Sequence, residues 1–219
     1  MISIFPDVSM ATEDGLLAVG GNLDIQSLTD AYTKGIFPWP VEEGYPLTWF
    51  APDPRGLIKM ENVKFSKSLL RFIKKMDFEV KFNTDFRSVI TECAMTKRKH
   101  ESGTWIYDNI IEGYTNLFNA KKAYCVSVYQ NERLIGCLYG VCFGEIISGE
   151  SMFYREDNAS KVALYYLINK IKEAKIPFID TQMVTPIVET FGGELVDRKT
   201  YTELLNSLNT EITRDSIFN

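Results

Sequence analysis

Hydrophobic and polar positions follow two different textures along this chain, and the change comes near residue 56. Beyond it, apolar residues recur with helical spacing over 66–75, 84–96 and 108–120, and with a period of two over 78–82. Ser66 is a suitable cap for the first of these helices. Segments 124–129 and 134–143 read as a hairpin turned at 130–133, with 145–153 as a third strand. The longest helical pattern covers 158–174, with Asp157 or Asn158 as its cap. An apolar strand over 177–182 and two short helices complete the chain.

The first 56 residues look different. They hold six of the eight prolines and two of the three tryptophans, Trp39 and Trp49. One helix is predicted there, over 25–34, started by Asp24 and stopped by Gly35. The rest is turns and short extended pieces. The pattern therefore predicts an α+β domain, residues 57–219, behind a small irregular one, residues 1–56.

Composition narrows the function classes. With 219 residues, 45% hydrophobic and 24% charged, the chain has the make-up of a folded globular protein. Its net charge of −5 argues against a generally basic nucleic-acid coat protein. His100 is the single histidine, so a His-dependent triad or a multi-histidine metal site has little to draw on. The four cysteines, Cys93, Cys125, Cys137 and Cys142, form no CxxC pair, which argues against a zinc ribbon. Cys125 and Cys137 lie among strand formers and read as small buried hydrophobes. The N-terminus lacks the basic start and apolar stretch of a signal peptide. The longest uncharged apolar stretch, residues 134–144, is shorter than the ~20 residues a bilayer requires. A soluble cytoplasmic protein with reduced thiols and no membrane partner is expected.

Charge distribution along the chain departs from what net charge suggests. Residues 59–75 carry Lys59, Lys64, Lys67, Arg71, Lys74 and Lys75 against Glu61 alone. Lys67, Arg71 and Lys75 fall on one helix face at successive intervals of four. Such a stripe attracts phosphates while the surface elsewhere stays acidic.

Four segments carry candidate chemistry. Gly20 and Gly21 precede a helix and suit tight backbone geometry, but no GxxxxGK[ST] phosphate loop follows. Trp39 nearby reads as packing when taken alone. The run from Trp49 to Arg55 reads as a rigid connector. Trp105 follows the basic residues Lys97, Arg98, Lys99 and His100, which suits base stacking beside phosphate contacts or a solvated charge run next to a core Trp. On strands, Asp180 shares a face with Gln182, and Glu150 with Met152. A carboxylate in an apolar strand costs several kcal/mol unless partnered, so each reads as half of a structural ion pair or as a catalytic group.

Eight motifs in order, GLLAVGGNL, AYTKGIFPW, WFAPDPR, GTWI, LYGV, GESMF, NASKVAL and IDTQ, resemble the bacterial leucyl/phenylalanyl-tRNA–protein transferase family over about residues 5–205. The resemblance implies an acetyltransferase-like (GNAT-type) C-terminal domain. It implies transfer of Leu, Phe or less readily Met from aminoacyl-tRNA to an N-terminal Lys or Arg, marking the product for a Clp-type protease. It implies that Trp39 and Trp105 stack on the terminal adenosine, and that Lys67, Arg71, Lys74 and Lys75 hold the acceptor stem or 3′ end. Leu138, Met152, Leu164, Leu167 and Ile179 would line a pocket for the aminoacyl side chain. Glu150, Asp180 and Gln182 fall at the family's polar catalytic group. Where members often carry a second Trp after Trp49, this chain has Phe50.

An aminoacyl ester is already activated, so no cofactor, metal or covalent enzyme intermediate is expected. The enzyme must position an α-amine, remove a proton and stabilise the oxyanion. A neutral amide is too weak a base, so Gln182 would orient the amine, with Asp180 holding and polarising it and Glu150 orienting a substrate group or accepting the proton. An unbranched Met152 in the pocket favours Leu, Phe and Met over rigid β-branched side chains. Three other readings compete. A sister transferase adding Leu to acidic N-termini needs cations at the acceptor site. A CoA-dependent N-acetyltransferase needs a Gly-rich pyrophosphate loop before the long helix, where this chain has Arg155, Glu156 and Asp157. A non-catalytic RNA-binding module leaves Glu150, Asp180 and Gln182 unexplained. A monomer is expected.

Overall fold

The computed structural model describes residues 4–96 and 104–219. Three short strands, β1 (Leu16–Val19), β2 (Phe37–Pro38) and β3 (Thr48–Phe50), form a small antiparallel sheet in the order β1-β3-β2. Between β1 and β2 runs α1 (Ile25–Tyr32), started as expected by Asp24, whose carboxylate accepts the Ser27 N–H at 2.7 Å.

The larger sheet has seven strands: β4 (Arg55–Lys59), β5 (Glu79–Phe82), β6 (Ala123–Gln130), β7 (Arg133–Phe143), β8 (Ile146–Tyr154), β9 (Phe178–Gln182) and β10 (Glu194–Val196). Their order is β10-β4-β9-β8-β7-β6-β5. The predicted hairpin is β6–β7, and its two-residue turn places Asn131 and Glu132 at φ 48° and 62°, the left-handed pair that suits strand twist. Neighbours pair antiparallel except β8 and β9, which run parallel with α5 (Ala159–Glu173) as the crossover. The mixed α+β class expected from the pattern is present. Strand β4 spans the boundary expected after residue 56.

Alternation along the strands sorts the apolar residues onto two faces. One face carries Ala123, Cys125, Cys137, Tyr139 and Val141 beneath α1, α3 (Phe86–Met95), α4 (Asp108–Asn119) and α7 (Arg198–Asn206). The other carries Tyr124, Val126, Leu138 and Cys142 beneath α5 and α2 (Lys67–Lys75). Trp49, Tyr32 and Phe37 join the first cluster, so the N-terminal segment packs onto the same face as α3 and α4. All four cysteines are buried and free, as their setting among strand formers predicts for Cys125 and Cys137.

Two expectations are corrected. Asn158 takes the N-cap position of α5 at φ 69°, but no side-chain bond caps that helix. Beyond β9 the chain forms α6 (Pro186–Thr190), β10, α7 and α8 (Arg214–Phe218) rather than two helices. The three residues of β10 carry little strand signal and take their form from pairing with β4. Among the described residues no helix is long and apolar enough to cross a membrane.

Candidate active site between two parting strands

Strands β8 and β9 meet at a single register pair, Ser148 with Asp180. Past it, Gly149 onwards and Thr181 onwards continue without a ladder between them. A bulge flanks this gap on each side. Gly140 pairs with Gly149 and Tyr139 with Ser151, so Glu150 has no partner across β7. Gly56 pairs with Gln182 and Leu57 with Asp180, so Thr181 has none across β4. Bulges re-aim side chains, and that is their effect here.

Glu150 turns toward the face covered by α1 and α4. Its Oε2 accepts the Tyr114 hydroxyl at 3.3 Å, and its Oε1 accepts Ser148 at 3.0 Å and Gln182 Nε2 at 3.1 Å. Tyr114 in turn hydrogen-bonds the Tyr32 hydroxyl from α1. Met152 packs against the opposite cluster, so the expectation that it shares a face with Glu150 fails at the bulge. Burial pushes the Glu150 carboxyl up to about 7; the Tyr32, Ser148 and Tyr114 hydroxyls act against the rise and the nearby Asp180 carboxylate adds to it. Burial raises both tyrosines well above the ordinary phenol range, so they remain proton donors.

Asp180 and Gln182 do share a face, as their spacing predicts. Asp180 is buried, and its carboxylate takes Arg55 Nε at 2.9 Å and Nη2 at 2.7 Å, the Tyr201 hydroxyl at 2.7 Å and the Gln182 backbone N–H at 2.9 Å. It therefore holds the backbone of Gln182, whereas Ser148 Oγ at 2.7 Å and Glu150 hold the side-chain amide. Gln182 adopts φ 56°, a left-handed conformation that costs a side-chain-bearing residue about 1–2 kcal/mol. The bond from its N–H to Asp180 fixes that conformation.

Arg55 ties the N-terminal segment to this cluster. Its Nη1 donates to the Gly35 carbonyl at 2.9 Å, and its guanidinium lies 4.7 Å from the Phe37 ring centre and 4.8 Å from that of Tyr201. Burial opposes its charge most strongly, but the Asp180 carboxylate together with the neighbouring Tyr201 and Tyr32 offsets this and holds its pKa above the usual value. Gly35 is required at φ 76°, where a Cβ would come within 2.5 Å of Tyr201. The sequence marked Arg55 only as the end of a connector and Tyr32 only as part of the AYTKGIFPW motif, and Tyr114, Ser148 and Tyr201 were not singled out at all. Those three reach the cluster through tertiary packing.

The remaining expected site residues separate into groups. Leu138, Leu164, Leu167 and Ile179 are buried in the cluster under α5, with Met152 half-buried beside them and paired across strands with Leu138. Trp39 and Trp105 lie half-buried at the margin of the other cluster, with Trp39 edge-on to Phe50 at 6.4 Å. Lys67, Arg71, Lys74 and Lys75 are exposed on α2, whose Leu69 is buried in the cluster beneath α5. The cations and the tryptophans thus belong to elements on opposite faces of the large sheet. Lys97, Arg98, Lys99 and His100 lie outside the described residues.

Comparison with known proteins gives consistent matches. Residues 57–206 match the model of the leucyl/phenylalanyl-tRNA protein transferase family, and residues 21–53 match the model of its N-terminal domain. A leucyl/phenylalanyl-tRNA–protein transferase of Flavobacterium johnsoniae is 40% identical over 203 residues, covering 93% of this chain and 95% of the relative. One from Syntrophus aciditrophicus is 41% identical over 204 residues, covering 93% and 85%. Among solved structures, a GCN5-related N-acetyltransferase-like protein from Streptococcus suis aligns at a TM-score of 0.39 and 13% identity, over 78% of this chain and 64% of the other.

Proposed function

Because the chain belongs to the leucyl/phenylalanyl-tRNA protein transferase family, a family of aminoacyltransferases, we propose that it moves Leu, Phe and less readily Met from aminoacyl-tRNA to the N-terminal Lys or Arg of a protein. The observation that carries this reading is the hydrogen-bonded pair Glu150–Gln182 at the gap between β8 and β9. The Gln182 amide gives its N–H bonds to Ser148 and Glu150, which leaves its oxygen as an acceptor. An incoming α-amine, with an ordinary pKa of about 7.7–8, is the matching donor.

The reaction is direct aminolysis. Gln182 orients the amine, Glu150 accepts its proton as the C–N bond forms, and the ester bond to the terminal ribose breaks. A carboxyl with a pKa of about 7 is well matched to that task near neutral pH. Asp180 serves as a positioning residue, holding the Gln182 backbone from within its pair with Arg55.

Substrate roles follow the same reading. Trp39 and Trp105 stack on the terminal adenosine, and Lys67, Arg71, Lys74 and Lys75 engage the phosphates of the acceptor end. Leu138, Met152, Leu164, Leu167 and Ile179 receive the aminoacyl side chain; half-buried, flexible Met152 marks its entrance. The enzyme acts as a cytoplasmic monomer and needs no metal or cofactor. Its product is a substrate for Clp-type degradation.

Charge favours Lys and Arg acceptors over acidic ones, since Arg55, the cation in this cluster, is buried and committed to Asp180 and Gly35. Incubation with labelled Leu-tRNA and peptides beginning Lys, Arg, Asp or Ala tests the proposal. Label on the Lys and Arg peptides alone supports it; label on the Asp peptide, or none without acetyl-CoA, contradicts it.

A further inference from the structure

The cluster at the gap is rich in acceptors, and its side-chain protons are committed. Tyr114 and Ser148 donate to Glu150, Tyr201 donates to Asp180, and the Gln182 amide donates to Ser148 and Glu150. These groups can bind the N–H bonds of an amine. They offer nothing to the carbonyl oxygen of the ester, which becomes negative as the amine attacks.

Thr181 stands apart. It is the unopposed residue of the β4–β9 bulge, lies between Asp180 and Gln182, and is the first residue of β9 past the single pair with β8. Among the described residues its Oγ1 is one of the few buried side-chain polar atoms without a hydrogen-bond partner. A buried hydroxyl left unsatisfied is unfavourable, so a partner that arrives with the substrate recovers stabilisation. Across the gap Gly149 leaves room: a Cβ there would come no nearer to Asp180 O than 4.0 Å.

We propose that Thr181 is the oxyanion donor of this site, its hydroxyl hydrogen-bonding the carbonyl oxygen of the aminoacyl ester. This rests on the transferase reading above and adds a residue to it. As the amine nitrogen bonds to the carbonyl carbon, the electron pair of the C=O bond moves onto that oxygen, where the Thr181 O–H meets it. Collapse of the intermediate re-forms the C=O bond and expels the ribose oxygen, which takes the proton held by Glu150. No oxidant, metal or second nucleophile enters the balance.

The test compares Thr181→Val, which keeps the shape and removes the O–H, with Thr181→Ser, which keeps the O–H and removes a methyl. Both are assayed for Leu transfer from Leu-tRNA to a Lys-initiated peptide, with kcat and KM resolved. For Thr181→Val, kcat is expected to fall about 10²-fold, the scale seen when one oxyanion donor is removed, with little change in KM. Its melting temperature should hold or rise, because an unpartnered buried hydroxyl has been replaced by a methyl. Thr181→Ser should retain most of the rate. A wild-type kcat in Thr181→Val overturns the assignment, and so does an equal loss in both variants, which would trace to the missing shape rather than the proton. Thr181→Ala covers a valine that does not fold, and full kcat there is equally contrary. A wild type that labels no peptide overturns the transferase reading itself, an outcome distinct from an active enzyme indifferent to Thr181.

Discussion

Arg55 grips Asp180 through two parallel hydrogen bonds, Nε to Oδ1 at 2.9 Å and Nη2 to Oδ2 at 2.7 Å, with both side chains buried. Removing one partner of such a pair leaves an uncompensated charge in the interior. Arg55→Ala is therefore expected to lower stability by about 3–5 kcal/mol, measured by urea unfolding. Arg55→Lys should recover little, because an ammonium cannot reproduce the planar fork or reach Gly35 at the same time. A loss below about 1 kcal/mol in Arg55→Ala would contradict this role.

Glu150 makes both stability and rate depend on pH. Its carboxyl is raised from 4.5 to about 7 in the folded chain, so the folded state binds more protons than the unfolded state between those values. Stability attributable to this group is full below pH 4.5, falls as pH rises, and is lost above about 7. Glu150→Gln should flatten that dependence and melt above the wild type at pH 8. In transfer assays kcat should fall as pH drops below about 7 in the wild type, and this limb should vanish in Glu150→Gln along with most of the rate. An unchanged melting profile in the variant would sink the linkage.

The stripe on α2 predicts a salt signature. Replacing Lys67, Arg71 and Lys75 with Glu should weaken tRNA binding and reduce the slope of log K against log salt by roughly one for each phosphate that is no longer neutralised. The three side chains are exposed, so the fold should be unaffected. Filter binding over a salt series reads the slope. An unaltered slope would place the acceptor stem elsewhere.

Trp39 and Trp105 are expected to act on the nucleotide. Each Ala variant should weaken aminoacyl-tRNA binding by about 1–3 kcal/mol, the worth of one stacked base. Peptide KM should stay the same. A loss of thermal stability with unchanged tRNA affinity would return both residues to packing, where their half-buried positions beside the N-terminal core also fit.

Much of the fold was legible in the sequence, and the misses share a cause. Helices α1 and α2 announced themselves through local chemistry, with Asp24 and Ser66 capping where their positions predict. The β6–β7 hairpin showed in two runs of strand formers. What stayed hidden depends on residues far apart in the chain. Strand β10 exists because β4 pairs with it, and Tyr114 and Tyr201 reach the site from two separate helices. Period-two alternation placed Asp180 and Gln182 correctly and misplaced Glu150 against Met152, because a bulge at Glu150 is set by register with β7. Net charge misled for a related reason: it averages an acidic surface with the basic face of α2.

In the proposed reaction Gln182, held by Asp180, Ser148 and Glu150, orients the amine that attacks the ester. Single-turnover transfer from labelled Leu-tRNA to a Lys-initiated peptide, by wild type and Gln182→Ala, isolates that role when tRNA affinity is measured on the same samples. A rate lowered about 10²-fold with affinity unchanged is the predicted result. A near-wild-type rate in Gln182→Ala would remove Gln182 from the orientation of the amine.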